Sequence, residues 1–340
     1  MTIWGKIGLT MMIYLVVAVW VRVGEEKRWW ESLRAFSLRF PAEVDTEQAG
    51  RWIGTLAGMM GSPWWWLGIP RWWPLGMARW PVTLELVATD RGVQRVLIVP
   101  DRMVQKVLDS LAAVMPGVRA EELPDFLTAQ RPRWRIAKEL RLTGRRGLLD
   151  TRRAEDTARH VLACLQPLYS GEQVRIQWII AGARPGWRAR HDDKRRDKDH
   201  PPKAIILRWR TAHPMLTATC RITIATSQHQ NRARARGLLG GILAALRGMD
   251  AVGAYVACRR VRPRWWTARR VNTRTLPVPR WPFTLTSTEL GGLLGLVSSH
   301  DLAGVPHPIA RTLPPHRPCP PMAWSSPKVT TPQARHAHSA

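Results

Sequence analysis

The sequence predicts an α+β protein held behind an N-terminal transmembrane helix. Three observations predict it. Ile7–Val21 is an uncharged apolar run of 15 residues. Two stretches farther on each read helix, strand, strand, helix. The end of the chain, from Pro306, is rich in Pro, His, Ser and Thr and has no apolar periodicity, the composition of a disordered tail.

The apolar run is short of the ~20 residues that span a bilayer. Extended from Ile3 to Val23 it reaches 21 residues, provided Lys6 and Arg22 reach back toward the headgroups. A cleaved signal peptide is the competing reading. The basic residues lie mainly after the run, at Arg22, Lys27, Arg28, Arg34 and Arg39, which favours an anchor with the rest of the chain in the cytoplasm. The expected organisation is therefore an anchor over 1–24 and a basic juxtamembrane segment over 25–40, in a single-pass protein of the cell membrane.

The first α+β module is expected over 41–131. Asp45 caps a helix with Gln48 at the capping-box position, and Ala49, Trp52, Ile53, Leu56 and Met60 share a face. Residues 61–80 hold six tryptophans among prolines and glycines, a density that suits base stacking or a membrane-surface patch; the prolines preclude a regular platform and favour a loop folded over a core edge. The alternating segments 82–88 and 93–99, joined by TDRG, read as paired strands. Pro100-Asp101 opens a helix with Val104, Val107, Leu108, Leu111 and Met115 on one side, and Pro116-Gly117 ends it.

The same order recurs over 150–250, which predicts a duplicated module. Asp150 caps a helix through Ala154, Ala158, Val161, Leu162 and Leu165. Strands follow at 173–180 and 216–225, and then a helix over about 230–248 with Leu238, Leu239, Ile242, Leu243 and Leu246 inward. Between the strands, 183–203 is a mixed-charge loop. Its His191, Asp192, Asp193 and His200 lack the fixed spacing of metal ligands. A basic segment and a last helix occupy 251–305, and the tail is 306–340. In LTSTELGGLLGLV, Thr286 and Glu289 make a capping box and Leu285 and Leu290 a hydrophobic staple. Leu290, Leu293, Leu294 and Val297 keep helical spacing, yet Gly291, Gly292 and Gly295 interrupt it at roughly 1 kcal/mol each. A helix so weakened needs something to pack on: either the two α+β modules of this chain, or a motor supplied by another chain, for which it is a candidate docking helix.

The formal net charge is +27, and eight of the 52 basic residues are lysine, the rest arginine. Codon bias and selection for phosphate binding explain such a composition equally; either way the surface attracts nucleic acid or anionic lipid. Two basic clusters stand out. Arg232, Arg234 and Arg236 sit at a helix N-terminus, the end where cations are disfavoured. Arg259, Arg260, Arg262 and Arg264 adjoin Trp265 and Trp266, followed by Arg269 and Arg270, a mixture suited to neutralising a single strand and stacking its bases. A solvated face is the alternative.

The four cysteines, Cys164, Cys220, Cys258 and Cys319, are too scattered for a zinc site or a disulfide framework. A phosphate-cradling loop needs G-x-x-x-x-G-K-[ST], and the one Gly-Lys pair is Gly5-Lys6. There is no H-E-x-x-H and no G-x-S-x-G. No catalytic, cofactor-binding or metal residue is assigned, and no enzymatic activity is expected.

The order of these parts resembles the N-terminal, non-motor region of actinobacterial type IV secretion and conjugative DNA-transfer ATPases. The resemblance runs over about 25–325, through FPAEVDTEQAGRWIGTLAGMM, VLIVPDRMVQKVLDSLAAVMPG, GEQVRIQWII, KAIILRWRTAHPMLTATCRITIAT, NRARARGLLGGILAALRG and PFTLTSTELGGLLGLV. In that family the next segment enters a RecA-like motor with its Walker A lysine; here the sequence reads SSPKVTTPQARHAHSA instead. The resemblance implies a scaffold or assembly component of a DNA-transfer machine that lacks its own ATPase domain. Its implied partners are the membrane, a separate P-loop ATPase chain, DNA and further copies of itself. The alternatives are a membrane-tethered nucleic-acid-binding protein acting alone and a non-functional truncated product.

Overall fold

Glu85, Gln177, Arg221 and Glu139 stand side by side on four neighbouring strands, and the fold is best followed from how those strands come together. The computed structural model describes residues 3–41, 44–60, 81–129, 132–143, 148–183, 214–226, 232–251, 253–259, 263–275 and 281–296. The elements in order are α1 (Ile3–Glu31), β1 (Leu33–Arg39), α2 (Thr46–Met59), β2 (Val82–Thr89), β3 (Gly92–Pro100), α3 (Val104–Val114) and β4 (Arg119–Glu122). Then come β5 (Ile136–Thr143), α4 (Ala154–Ala163), β6 (Gln173–Ala183), β7 (Met215–Ala225), α5 (Arg232–Leu246), β8 (Tyr255–Cys258), α6 (Arg264–Asn272), β9 (Phe283–Thr286) and α7 (Ser287–Leu293). Short 3₁₀ turns precede α3 and α4 and lie at Pro124–Phe126.

The expected membrane span is corrected. Among the described residues no helix is long and apolar enough to cross a membrane. The physical reason is in α1 itself: its uncharged run is Ile7–Val21, and Arg22, Glu25, Glu26, Lys27 and Arg28 follow within the same helix. With the span go the expected transmembrane helix and single-pass placement at the cell membrane. The described residues form a mixed α/β fold built on one nine-stranded antiparallel sheet.

Strand order is β4-β1-β3-β2-β6-β7-β5-β8, with β9 paired to β7. Each half follows β-α-β-β-α-β in sequence. In both halves the fourth strand of the set neighbours the first, the first neighbours the third, and the third neighbours the second. This is the split βαβ arrangement, present twice. The halves join where β2 pairs with β6, from Val82 opposite Ile180 to Thr89 opposite Gln173. Five of the nine strands lie where the sequence reading placed none, β9 among them, at the start of the last helix. β1 falls in the basic segment before the first helix, β5 between the two helix–strand–strand–helix stretches, and β4 and β8 beyond their last helices.

Helices α2, α3, α4, α5 and α7 cover one face of the sheet. Their apolar stripes meet Leu84, Leu86, Leu97, Ile176, Trp178, Ile180, Cys220 and Ile222 in one continuous core. The caps are as the sequence implies: the Asp45 carboxylate accepts from the Gln48 amide at 2.7 Å. The Asp150 carboxylate accepts from the Arg152 amide, with a short 3₁₀ turn before α4. The other face has a smaller apolar cluster of Trp29, Leu33, Ala35, Val87, Val96, Ile98 and Ile179 at one end. Beside that cluster the same face is polar, and α6 lies over it.

The question raised by the glycine-broken helix has a structural answer. α7 keeps its full capping box, and Leu290, Leu293 and Leu294 are 0–1% exposed in this chain's own core. Of the two expectations for this helix, the structure shows packing within this chain: α7 lies between α2 and α4. Val297 lies outside the described residues. So do the tryptophan-rich 61–80, the 184–203 part of the charged loop, and the tail.

Candidate nucleic-acid interface

α6 begins after Pro263 and turns Thr267, Arg270 and Val271 inward. That spacing, i, i+3 and i+4, makes one helical face, but the face is polar and needs a polar seat. The seat is a row of four side chains in register. Glu85 on β2 lies opposite Gln177 on β6. Gln177 lies opposite Arg221 on β7, and Arg221 opposite Glu139 on β5. All four are at most 3% exposed.

The row closes its own hydrogen bonds and then those of α6. Gln177 Nε2 donates to Glu85 Oε1 at 2.8 Å and to the Val271 carbonyl at 3.1 Å. Arg221 Nη1 donates to Gln177 Oε1 and to the Arg270 carbonyl, both at 3.1 Å. Its Nη2 donates to the Thr275 carbonyl at 2.6 Å. A buried cation thus satisfies carbonyls at the negative end of a helix, where a cation is favoured. Arg259 Nη1 stands 2.6 Å from Glu139 Oε1, Arg270 Nη1 3.4 Å from Oε2, and Arg221 Nε 3.6 Å from Oε2. At the other end Arg274 Nε donates to Glu85 Oε1 at 3.1 Å, and Arg175 Nη1 lies 3.6 Å from Oε2. Burial by itself raises the Glu85 carboxyl; the Arg274 and Arg175 guanidiniums and the Gln177 bond outweigh it and hold the group below its ordinary range.

Arg274 has φ 50°, the only non-glycine with a left-handed backbone among the described residues. This conformation costs roughly 1–2 kcal/mol. The Glu85 pair and the Phe126 ring, 5.4 Å from the guanidinium carbon, hold it there.

The outer side of α6 is the opposite in character. Trp265 is 63% exposed and Trp266 47%. Their rings are 5.8 Å apart and tilted by 52°. Arg264 and Arg269 are exposed on the same helix. Arg264 Nη1 donates to the Arg135 carbonyl at 3.1 Å, which brings the exposed Arg135 of the β5 approach alongside. Trp134 Nε1 ties the last turn through Asn272 Oδ1 at 2.9 Å.

The candidate residues named from sequence separate into three groups. Arg264, Trp265 and Trp266 come together on α6. Arg259 is taken by Glu139 beneath them, and Arg260 and Arg262 lie outside the described residues. Arg232, Arg234 and Arg236 start α5, on the opposite face of the sheet. Arg232 and Arg236 are exposed there, but Arg234 donates to the Pro167 carbonyl at 2.9 Å and lies 4.9 Å over the Tyr169 ring. The two basic clusters are therefore not one surface.

Sequence reading missed Glu85, Gln177, Arg221 and Glu139. Glu85, Gln177 and Arg221 are polar members of strands placed from the sequence and read as solvent-facing, and Glu139 lies on β5, where no strand was placed. Among the described residues no group of three or more His, Cys, Asp or Glu is placed to hold a metal ion. Cys164, Cys220 and Cys258 are free thiols, and burial raises that of Cys220 well above its ordinary range.

No protein-family model matches the chain, and no curated protein does. Among solved structures it is similar to CrmK, a flavoenzyme involved in the shunt product recycling mechanism in caerulomycin biosynthesis. That match has 16% sequence identity and a TM-score of 0.33, and covers 77% of this chain and 51% of that one. The chain thus spans about half the length of the flavoenzyme, and a likeness this distant assigns it neither activity nor cofactor.

Proposed function

We propose that this protein is a non-catalytic scaffold that holds single-stranded nucleic acid on α6. DNA is the polymer, because the order of parts resembles the non-motor region of DNA-transfer ATPases. The 340 residues contain no G-x-x-x-x-G-K-[ST], so this reading gives them the holding of the strand and not its movement. The observation that carries the reading is the pair Trp265 and Trp266, two large exposed indoles on one short helix with Arg264 and Arg269. Exposed indoles are usually avoided. Beside guanidiniums they give bases a face to stack on while the phosphates are neutralised.

The test is titration of the full chain into a fluorescein-labelled oligothymidine of about 15 nucleotides, a length within the range such sites cover. Anisotropy should report binding whose logarithm falls linearly with log salt, with a slope of about −0.7 per phosphate contacted. Equal affinity for a duplex of the same length would contradict the single-strand assignment. Absence of salt-dependent binding would end the proposal.

A further inference from the structure

We infer that Arg221 is a positioning residue for the α6 contact surface, an inference that rests on the reading above. It lies on β7, is fully buried, and does not reach the surface where a nucleic acid would lie. Yet its guanidinium holds the Arg270 carbonyl in the last turn of α6 and the Thr275 carbonyl in the turn that follows. It is locked in turn by Gln177 on one side and Glu139 on the other. Arg270 of α6, and Arg274 in the turn that follows it, reach past it to Glu139 on β5 and Glu85 on β2. The helix is thus fixed on β5, β7 and β6, and the turn after it on β2, across the join between the two halves of the sheet.

These fixings are directional. An apolar seat would let a helix slide or roll at little cost, whereas a guanidinium fork holds its partners at set angles. With only Thr267, Arg270 and Val271 buried, α6 has almost no apolar grip of its own. Its orientation, and with it the attitude of Trp265 and Trp266 relative to Arg135, depends on the fork. Lysine at 221 keeps the charge but offers no fork, and cannot hold Gln177 and both carbonyls in the same geometry.

The experiment compares the full-length protein with its Arg221→Lys and Asn272→Ala variants. The second leaves the buried row intact and releases only the tie between α6 and Trp134. Oligothymidine affinity, the number of binding sites per chain and the salt slope are measured for each. Arg221→Lys should weaken binding about tenfold, the scale of one lost stacking contact, with an unchanged salt slope because the surface arginines remain. Asn272→Ala should weaken it in the same direction by a smaller factor. A purely structural role would reduce sites per chain and leave the affinity of the remaining sites alone, which would overturn the inference. Wild-type affinity in both variants would also overturn it, and if Arg221→Lys fails to fold, Asn272→Ala decides alone. A wild-type protein that does not bind the oligonucleotide overturns the functional reading, and this inference falls with it.

Discussion

Gly291 lies against Gly50. A β-carbon built on Gly291 would stand 3.1 Å from the Gly50 nitrogen and 3.2 Å from its Cα, with the Thr46 carbonyl oxygen also at 3.1 Å. Two glycines, from α7 and α2, let two helix backbones approach as closely as backbones can. The burial of Leu290, Leu293 and Leu294 that follows offsets the intrinsic cost of glycine in a helix.

Gly292 marks the tighter side of the same helix. Its added β-carbon would meet Ala154 Cβ at 2.7 Å and Ala154 Cα at 2.8 Å, on α4. A backbone atom cannot step aside as a side-chain tip can. Gly292→Ala should therefore destabilise the protein by about 1–3 kcal/mol, the range for forcing a methyl into a filled site. Gly291→Ala should cost less, since helix propensity returns up to ~1 kcal/mol and the clash is milder. Chemical denaturation of both variants checks the order.

Gly240 in α5 is the control. Nothing lies within 4 Å of its added β-carbon, and it sits within a regular helix. Gly240→Ala should stabilise by up to about 1 kcal/mol through propensity alone. The same denaturation series would show the two substitutions moving the midpoint in opposite directions.

Much of the helical layer was legible in the sequence because its signals are local. Asp45 and Thr286 announce helix starts by side chains three residues from their partners. Leu216, Ala218, Cys220, Ile222 and Ile224 show the strand period directly. The second face of the sheet was not legible, because its signals are not local. Arg221 reads as solvent-facing by alternation, and only register with Gln177 and Glu139 gives it partners 44 and 82 positions away. The edge strand β4, RAEE, has no apolar period at all. It is held by Arg39 Nη2 to Glu121 at 2.8 Å and Arg34 Nη1 to Glu122 at 3.1 Å. The exposure of Trp265 and Trp266 likewise follows from which side of α6 the buried row claims.

Glu139 meets three guanidiniums while 3% exposed. Removing one partner from a buried ion cluster leaves the others uncompensated, typically at 3–5 kcal/mol. Glu139→Gln keeps the shape and removes the charge, so a loss of about 3 kcal/mol in denaturant unfolding is expected. The exposed pair of Lys27 and Glu31, 3.8 Å apart, should by contrast contribute no more than about 1 kcal/mol.

Glu85 gives the protein an acid limb. Its carboxyl is held below the ordinary value of 4.5 in the folded state, since the guanidiniums outweigh burial. The unfolded chain therefore takes up a proton first as pH falls. The stability this supplies is complete above the ordinary value and is lost as pH falls through the lower folded one. Glu85→Gln should flatten that part of the stability–pH curve and leave its slope above pH 6 unchanged, roughly two units clear of the transition. Urea unfolding at a series of pH values checks it; an acid limb of unaltered steepness would assign it to other carboxylates.

The outer side of α6 and the start of α5 carry arginines of different employment, and binding should tell them apart. Arg269 is exposed beside the indoles, whereas Arg234 is occupied by the Pro167 carbonyl, Glu172 and the Tyr169 ring. Arg269→Ala should shallow the salt dependence of oligothymidine binding by about 0.7, one phosphate contact on a single strand. Trp265→Ala should weaken binding by about 1–3 kcal/mol with the slope unaltered, because stacking releases no counterion. Arg234→Ala should leave both affinity and slope near wild type and show instead as a loss of thermal stability, since it removes contacts within the protein. Anisotropy titrations at four salt concentrations, with melting curves of the same preparations, separate the three. A slope change in Arg234→Ala equal to that in Arg269→Ala would move the contact surface to α5, on the other face of the sheet.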